Sequence, residues 1–238
     1  MTLPRTPIWE SIAGTLAEEI ARGHWSVGER LPTEAELSAR FGVNRHTVRR
    51  SLAALGEEGL VHSRRGAGVF VAGRPTDYPL GRRVRFHQNL RAAGRLPGKE
   101  ILAIATRPAD AEEAGALALS PGAEVHACDG LSLADGQPIA IFRSVFPAAR
   151  FPDLPRHLVA EQSVTAALAR AGVLDYTRAS TRLTAVPATA TQALHLRLPE
   201  GAPLLRSVAV NVDPDGGPVE YGHTWFAGER VTLTIGPE

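Results

Sequence analysis

The stretch Leu31–Val71, LPTEAELSARFGVNRHTVRRSLAALGEEGLVHSRRGAGVFV, decides the fold of the amino-terminal part of the chain. Thr33 and Glu36 have the spacing of a capping box, which predicts the start of a helix. Gly42 predicts the end of this helix, and Asn44 is a suitable N-cap for a second one. The last part, LVHSRRGAGVFV, is typical of a strand, a tight turn and a second strand. The stretch therefore predicts a helix-turn-helix followed by a β-hairpin wing.

The second helix of this stretch has an apolar face and a basic face. Val48, Leu52 and Leu55 fall on one stripe and are expected to face the core. Five residues on the free side or at the leading end suit contacts with bases or phosphates: Arg45, His46, Thr47, Arg49 and Arg50. Arg64 and Arg65, at the tip of the wing, suit phosphate or minor-groove contacts. A solvated basic helix beside an ordinary hairpin is the alternative, but the cap, the turn, the stripe and the basic wing together favour a DNA-binding module.

Four motifs in this stretch resemble the DNA-binding domain of the GntR superfamily of bacterial repressors: LPTEAEL, FGVNRHTVRRSL, EEGLV and GAGVFV. The resemblance implies DNA contacts at the matching positions, with His46 among them: Thr33, Arg45, Thr47, Arg49 and Gly66. Ala35 departs from the pattern, because many relatives have an arginine there. The corresponding contact is therefore either missing or supplied by Arg64 or Arg65.

The distribution of charge separates the chain into two parts. The 238 residues carry 26 Arg and Lys against 25 Asp and Glu. Residues 1–100 hold 16 basic and 10 acidic residues, whereas residues 101–238 hold 10 and 15. A basic first part joined to an acidic remainder is typical of a nucleic-acid-binding domain followed by a domain with another role. Only one of the 26 basic residues is a lysine, Lys99.

The second part of the chain contains an internal repeat. The sequence PADAEEAGALALSPGA begins at Pro108, and PATATQALHLRLPEGA begins at Pro187. Each copy opens with a capping-box pair, continues into a β-like run, and then reaches an Asp-Gly turn followed by a strand. Two such units predict one antiparallel sheet with helices on one side, which is an α+β fold with a ligand cleft between its halves.

These features divide the chain into three segments. A winged helix-turn-helix domain is predicted for residues 1–72, an extended linker rich in Pro and Gly for residues 73–82, and an effector-binding and dimerisation domain for residues 83–238. Arg83 and Arg85 follow the linker and form either a basic patch near DNA or an anion-binding arm.

The second domain resembles the effector-binding (UTRA) domain of the HutC-type branch of the GntR superfamily, which shares its fold with chorismate lyase. The motifs YPLGRRVRFHQNL, DYTRASTRLTA and VEYGHTWFAGERV resemble, more narrowly, the phosphonate-metabolism regulators of that branch. The resemblance covers essentially the whole chain. It implies a dimeric regulator whose affinity for DNA depends on a small molecule.

Candidate residues for binding a small anion lie on several segments of the second domain. Strict alternation along the strand before the second repeat places Arg178 and Arg182 on the same face as Tyr176 and leaves the apolar residues for the core. The arginine face is then either exposed to solvent or the wall of a cleft. Arg143 and His223 are at equivalent positions of the two repeats, which places both near the expected pseudo-twofold axis. The candidate set comprises Arg83, Arg85, Arg143, Ser163, Tyr176, Arg178, Arg182, Glu220, Tyr221 and His223.

The resemblance also bears on the identity of the effector. Ser163 and Glu220 fall where relatives that sense amino-sugar phosphates contact their ligand. Those relatives carry two arginines and a glutamate where this chain has Gly130, Ser132 and Phe142. The resemblance therefore implies that most sugar-phosphate contacts are lost and that a different small anion, such as a phosphonate or a phosphate ester, is the effector.

Together these patterns favour a cytoplasmic transcriptional repressor that binds a palindromic operator in double-stranded DNA as a homodimer. The alternatives are a regulator of the same branch that senses a sugar phosphate or an amino-acid catabolite, and a constitutive DNA-binding protein whose second domain only dimerises. A lyase-like enzyme fused to a DNA-binding head is disfavoured, because no catalytic triad, P-loop or dinucleotide motif is present. The eight histidines lack metal-binding spacing, so neither a metal nor a cofactor is expected. No apolar run approaches membrane-spanning length, so no membrane partner is expected.

Overall fold

The computed structural model describes residues 7–25, 27–64, 66–72, 75–83 and 85–235, except for the side chain of Arg64. The chain divides into two compact units, Met1–Arg74 and Pro75–Glu238. Each unit encloses hydrophobic clusters of its own.

The first unit consists of three helices and a hairpin. Its elements are α1 (Ile8–Ala21), α2 (Glu34–Phe41), α3 (Arg45–Glu57), β1 (Val61–Arg64) and β2 (Gly68–Val71), and the two strands pair antiparallel. The predicted capping box is present, because the hydroxyl of Thr33 accepts a hydrogen bond from the backbone of Glu36, whose carboxylate accepts one from the backbone of Thr33 at 2.7 Å. Val48, Leu52 and Leu55 are buried, as the apolar stripe predicted. The winged helix-turn-helix prediction is therefore confirmed.

The second unit is built on a six-stranded antiparallel sheet. In spatial order its strands are β4 (Pro97–Pro108), β5 (Glu124–Ala134), β6 (Gln137–Pro147), β9 (Pro218–Ala227), β8 (Pro203–Val212) and β7 (Thr177–Pro187). Its helices are α4 (Phe86–Ala92), α5 (Ala111–Ala116), α6 (Leu154–Glu161), α7 (Val164–Arg170) and α8 (Ala190–Leu196). The predicted α+β class is confirmed.

The two repeats form the two halves of this sheet and meet at the β6–β9 pair. Arg143 of β6 lies opposite His223 of β9, which places these equivalent positions side by side. The prediction that all helices lie on one side of the sheet is wrong. Helices α6 and α7 pack against the face that carries Phe142 and Phe146, whereas α5 packs against the other face, near Val145. The helices of the two repeats, α5 and α8, both pack on this second face. The helices between the repeats, α6 and α7, cover the first face.

The segment 73–82 is more than the predicted extended linker. Its residues Thr76–Pro79 form β3, which pairs in parallel with β10 (Val231–Thr234). Thr76 and Tyr78 are buried while Asp77 and Pro79 are exposed, which is the period-two pattern of a strand on a core. The linker prediction is therefore wrong for this part of the segment, because its backbone and its inward side chains belong to the second unit.

Candidate DNA interface and ligand pocket

Helix α3 presents polar side chains on the surface of the first unit. Arg45 and His46 are exposed at its start. Thr47 belongs to the N-cap, where its backbone N and its hydroxyl donate to the cap side chain at 2.9 and 3.0 Å. Arg50 lies over the ring of Trp9, with its guanidinium carbon 4.4 Å from the ring centroid. Thr47 and Arg50 therefore also stabilise the fold, whereas Arg45 and His46 point into solvent at the end of the helix that would meet DNA.

Arg49 forms a bidentate ion pair with Glu34 of α2. Its Nε lies 3.1 Å from Oε1, and its Nη2 lies 2.8 Å from Oε2. The hydrogen bond from Arg49 holds the pKa of the Glu34 carboxyl below its usual value. The side chain of Arg49 remains 62% exposed. Glu34 thus either orients Arg49 toward a base or competes with DNA for it, and a surface pair of this kind is weak enough to open.

The remaining DNA candidates lie at the start of α2 and in the wing. The hydroxyl of Thr33 is engaged in the capping box, where it also donates to the Glu36 carboxylate at 2.8 Å. Gly66 has a φ of 75°, a left-handed conformation that favours glycine in the turn of the wing. Arg65 and the side chain of Arg64 lie outside the described residues, so their DNA contacts stay predictions.

A cleft opens on the sheet face that faces α4 and the start of α7. It lies over β6 and β9, at the junction of the two repeats, and receives side chains from both edges of the sheet. We call it the sheet pocket. The lining residues that matter most for its chemistry are Lys99, Phe142, Ser144, Arg178, Asn211 and Glu220.

Two cations and one carboxylate reach the sheet pocket. Glu220 is buried, and its two oxygens accept hydrogen bonds from Ser144 Oγ and Asn211 Nδ2, both at 2.6 Å. In the described part of the chain neither Lys99 of β4 nor Arg178 of β7 forms a salt bridge within 4 Å, although the Glu220 carboxylate attracts the Lys99 ammonium. The Nε atom of Arg178 is also buried without a hydrogen-bond acceptor among the described residues. The pocket therefore has an excess of positive charge, which favours an anionic ligand.

Lys99 rests on aromatic rings. Its Nζ lies 3.7 Å from the ring centroid of Phe142 and 5.3 Å from that of Phe86. Burial lowers the pKa of Lys99 to about 8. Phe142 fits here only because residue 130 is glycine: a Cβ at Gly130 would lie 2.6 Å from the Phe142 ring and 2.5 Å from the Glu100 carbonyl oxygen. Gly130 and Phe142 both depart from the pattern of the relatives that sense sugar phosphates, and these two departures depend on each other because the ring occupies the space of a side chain at residue 130.

Strand β7 contributes only one of its two candidate arginines to the sheet pocket. Arg178 pairs with Asn211 of β8 and lines the pocket. A β-bulge after Arg178 adds one residue, so that Arg182 pairs with Val208 and points to the opposite face. The expectation of strict alternation is therefore wrong. The apolar residues of this edge strand are not core either, since Leu183 is 42% exposed.

Three more candidates lie on the face of the sheet opposite the pocket. Side chains alternate along β6, so Arg143 points away from the pocket, where its Nε lies 2.7 Å from Asp129 Oδ1. Alternation along β9 turns Tyr221 and His223 the same way, and Tyr221 donates a hydrogen bond to Glu112. Burial lowers the pKa of His223. These residues contribute to the second face of the sheet and not to the sheet pocket.

Arg83 and Arg85 both bind Asp175, so this one carboxylate offsets only part of their combined charge. The guanidinium of Arg85 also lies 3.9 Å from the ring centroid of Tyr176. Tyr176 and Ser163 line the sheet pocket, and Ser163 caps α7. Four of the ten effector candidates therefore reach the pocket: Ser163, Tyr176, Arg178 and Glu220.

Sequence reasoning missed Lys99, Ser144 and Asn211 as lining residues of the sheet pocket. The sequence held a signal only for Lys99, which is the single lysine among 26 basic residues. Ser144 and Asn211 carry no motif. They matter because β6 and β8 flank β9 and place both side chains against Glu220.

Other kinds of site find little support in the described residues. They contain no group of three or more His, Cys, Asp or Glu placed to hold a metal ion. Burial raises the pKa of Cys128 to about 11, so its thiol keeps its proton at neutral pH. Among these residues no helix has both the length and the apolar character needed to cross a membrane.

Comparison with known proteins gives matches over both units. The model of the bacterial regulatory proteins of the gntR family matches residues 9–71, and that of the UTRA domain matches residues 92–232. The "Uncharacterized HTH-type transcriptional regulator RB1450" of Rhizobium meliloti (strain 1021) is 40% identical, over 96% of this chain and 94% of its own. The "Probable transcriptional regulator PhnF" of Escherichia coli (strain K12) is 34% identical, over 95% of this chain and 94% of its own. The crystal structure of PhnF from Mycobacterium smegmatis superposes with a TM-score of 0.68 at 27% identity, over 95% of this chain and 99% of that chain.

Proposed function

The chain belongs to the gntR family of bacterial regulatory proteins and carries the UTRA domain of the HutC-type branch, and from this premise we propose that a small anion in the sheet pocket controls its binding to operator DNA. We expect it to act as a homodimer, so that two copies of α3 meet a palindromic site about 34–36 Å apart, or a multiple of that distance. Most simply, the protein is a repressor, and it acts by binding and not by catalysis.

The exposed basic end of α3 supports the DNA-binding part of this proposal. Arg45 and His46 are exposed at the N-terminal end of the helix, which is the end that reaches base edges in helix-turn-helix proteins. Arg49 is held beside them by Glu34. Arg side chains at these positions can contact guanine edges or phosphates.

The unbalanced charge of the sheet pocket is the single observation that carries the ligand part of the proposal. Lys99 and Arg178 form no salt bridge among the described residues, whereas Glu220 is the one carboxylate in the lining. A phosphonate or a phosphate ester would supply acceptors for both cations. A sugar phosphate fits less well, because the Phe142 ring fills the space next to Gly130.

Control of DNA binding requires that the ligand bind the DNA-competent arrangement and the other arrangement with different affinities. The test is fluorescence anisotropy with a labelled fragment of the gene's own promoter, in the presence of methylphosphonate, glycerol phosphate or inorganic phosphate. Isothermal titration of the same compounds gives the ligand affinity directly. We expect at least one of them to bind and to change the affinity for DNA.

Two arginines of β7 provide a matched pair of variants for this test. Arg178→Ala removes a cation from the sheet pocket, whereas Arg182→Ala removes one from the opposite face of the same strand. We expect Arg178→Ala to weaken ligand binding at least tenfold and Arg182→Ala to leave it within about twofold. Equal effects of the two variants would place the ligand elsewhere. A promoter affinity that no ligand changes would favour a constitutive DNA-binding protein.

A further inference from the structure

The two cations of the sheet pocket occupy equivalent positions of the internal repeat. Lys99 lies nine residues before Pro108, which opens the first copy, and Arg178 lies nine residues before Pro187, which opens the second. Lys99 pairs with Ser132 of β5, and Arg178 pairs with Asn211 of β8. The pseudo-twofold axis between β6 and β9 therefore relates the two positive charges, one from each edge of the sheet.

Glu220 breaks this symmetry. It lies two residues after Pro218 of the second hairpin, and the residue two after Pro138 of the first hairpin is Ala140. The carboxylate is only 7% exposed and is held by two neutral donors, Ser144 and Asn211. These donors fix its position without cancelling its charge. The pocket therefore has positive charge at both ends and one negative charge built into a single half.

Arg178 and Glu220 lie on the same row across the sheet, with Asn211 between them. Arg178 pairs with Asn211, and Asn211 pairs with Glu220, so their backbones are two strand spacings apart, about 10 Å. The two side chains line the same pocket but form no ion pair with each other in the described structure. A short molecule with opposite charges at its two ends would contact both.

We propose that the sheet pocket selects a small zwitterion, whose anionic group binds Arg178 and whose ammonium group binds Glu220. The planar guanidinium suits the oxygens of a phosphonate, and its buried Nε gains the acceptor that the protein does not provide. Lys99 adds positive charge from the other half of the pocket. This inference rests on the proposed function and narrows the effector class from an anion to an amino-substituted anion.

The test compares two ligands that differ in one group. Isothermal titration is run on the full chain with 2-aminoethylphosphonate and with propylphosphonate, in which a methyl group replaces the ammonium. We expect the zwitterion to bind at least tenfold more tightly to the wild-type protein, because an ammonium on a buried carboxylate forms a charge-assisted hydrogen bond.

Two carboxylate variants assign this preference to a residue. Glu220→Gln keeps the shape of the side chain and should bring the two affinities within about threefold of each other. Glu112→Gln makes the same change on the opposite face of the sheet, where Glu112 accepts a hydrogen bond from Tyr221, and should keep the full preference. Thermal unfolding of both variants shows whether each is folded.

Each outcome supports or overturns the zwitterion. Propylphosphonate binding as tightly as 2-aminoethylphosphonate to the wild type would overturn it and leave the anion-responsive regulator intact. If neither compound bound, and no anion of the first panel bound either, the result would instead count against the proposed function. The wild-type comparison needs no variant, so a Glu220→Gln protein that failed to fold would still leave a decisive result. A preference retained in a folded Glu220→Gln protein would assign the ammonium site to another residue and overturn the inference.

Discussion

Substitution of Gly130 by alanine should destabilise the second unit, and the structure gives the size of the effect. The added Cβ would lie 2.5 Å from the Glu100 carbonyl oxygen and 2.6 Å from Cζ of Phe142. The oxygen belongs to the neighbouring strand and cannot move alone, so the strand and the ring must both shift. Overpacking of a close-packed interior costs about 1–3 kcal/mol. For a unit of this size, that loss corresponds to a fall in Tm of about 2–12 °C.

Urea unfolding and calorimetry of the full chain measure this loss of stability. Gly115→Ala is the matched control, because Gly115 lies within α5 and a Cβ there would meet nothing within 4 Å. It should be neutral or stabilise the protein by up to about 1 kcal/mol. The double variant Gly130→Ala/Phe142→Ala should lose less stability than the sum of the losses of the two single variants. The reason is that removal of the Phe142 ring relieves one of the two clashes. A Gly130→Ala protein as stable as the wild type would refute the argument that residue 130 is glycine because Phe142 occupies its space.

Three further predictions concern charge. Glu34→Gln should tighten promoter binding about two- to fivefold if Glu34 competes with DNA for Arg49, and a tenfold loss in anisotropy titrations would show that it orients Arg49 instead. Because the pKa of Lys99 is lowered to about 8, anion affinity should be full below that pH and fall by up to about tenfold per unit above it. Titrations from pH 6.5 to 9.5 check this, and Lys99→Arg should abolish the decline. Arg230→Met should cost about 3 kcal/mol in urea unfolding, because buried Arg230 donates to three backbone carbonyls; an unchanged stability would contradict that role.

Local signals in the sequence predicted much of the fold. The capping boxes at Thr33, Asp110 and Thr189 are all present, because a cap depends on residues only three apart. The repeat predicted the two hairpins for a similar reason, since an Asp-Gly turn fixes its own strands. The pairing of Arg143 with His223 also followed, because equivalent positions of a repeat meet at its axis.

The candidate site was harder to predict, because its geometry depends on contacts distant in sequence. One extra residue after Arg178 reverses the face of every later side chain on β7, and nothing in the local sequence marks this bulge. The position of Arg143 near the axis predicts a ligand contact, yet the axis passes through both faces of the sheet and Arg143 lies on the face opposite the pocket. Lys99 reaches the pocket only because β4 joins the sheet beside β5. Pairings of this kind follow from the whole topology and not from periodicity.

The parallel pairing of β3 with β10 determines the order in which the two units can fold during synthesis on the ribosome. β3 is the first strand after the DNA-binding unit, and its partner Val231–Thr234 is synthesised only after nearly all of the second unit. The DNA-binding unit can fold as soon as it emerges, whereas Tyr78 has to wait for the final strand before its surroundings are complete. A nascent chain truncated before residue 231 would therefore carry a folded DNA-binding unit and an incompletely folded second unit. We expect such a chain to be a substrate for quality-control proteases.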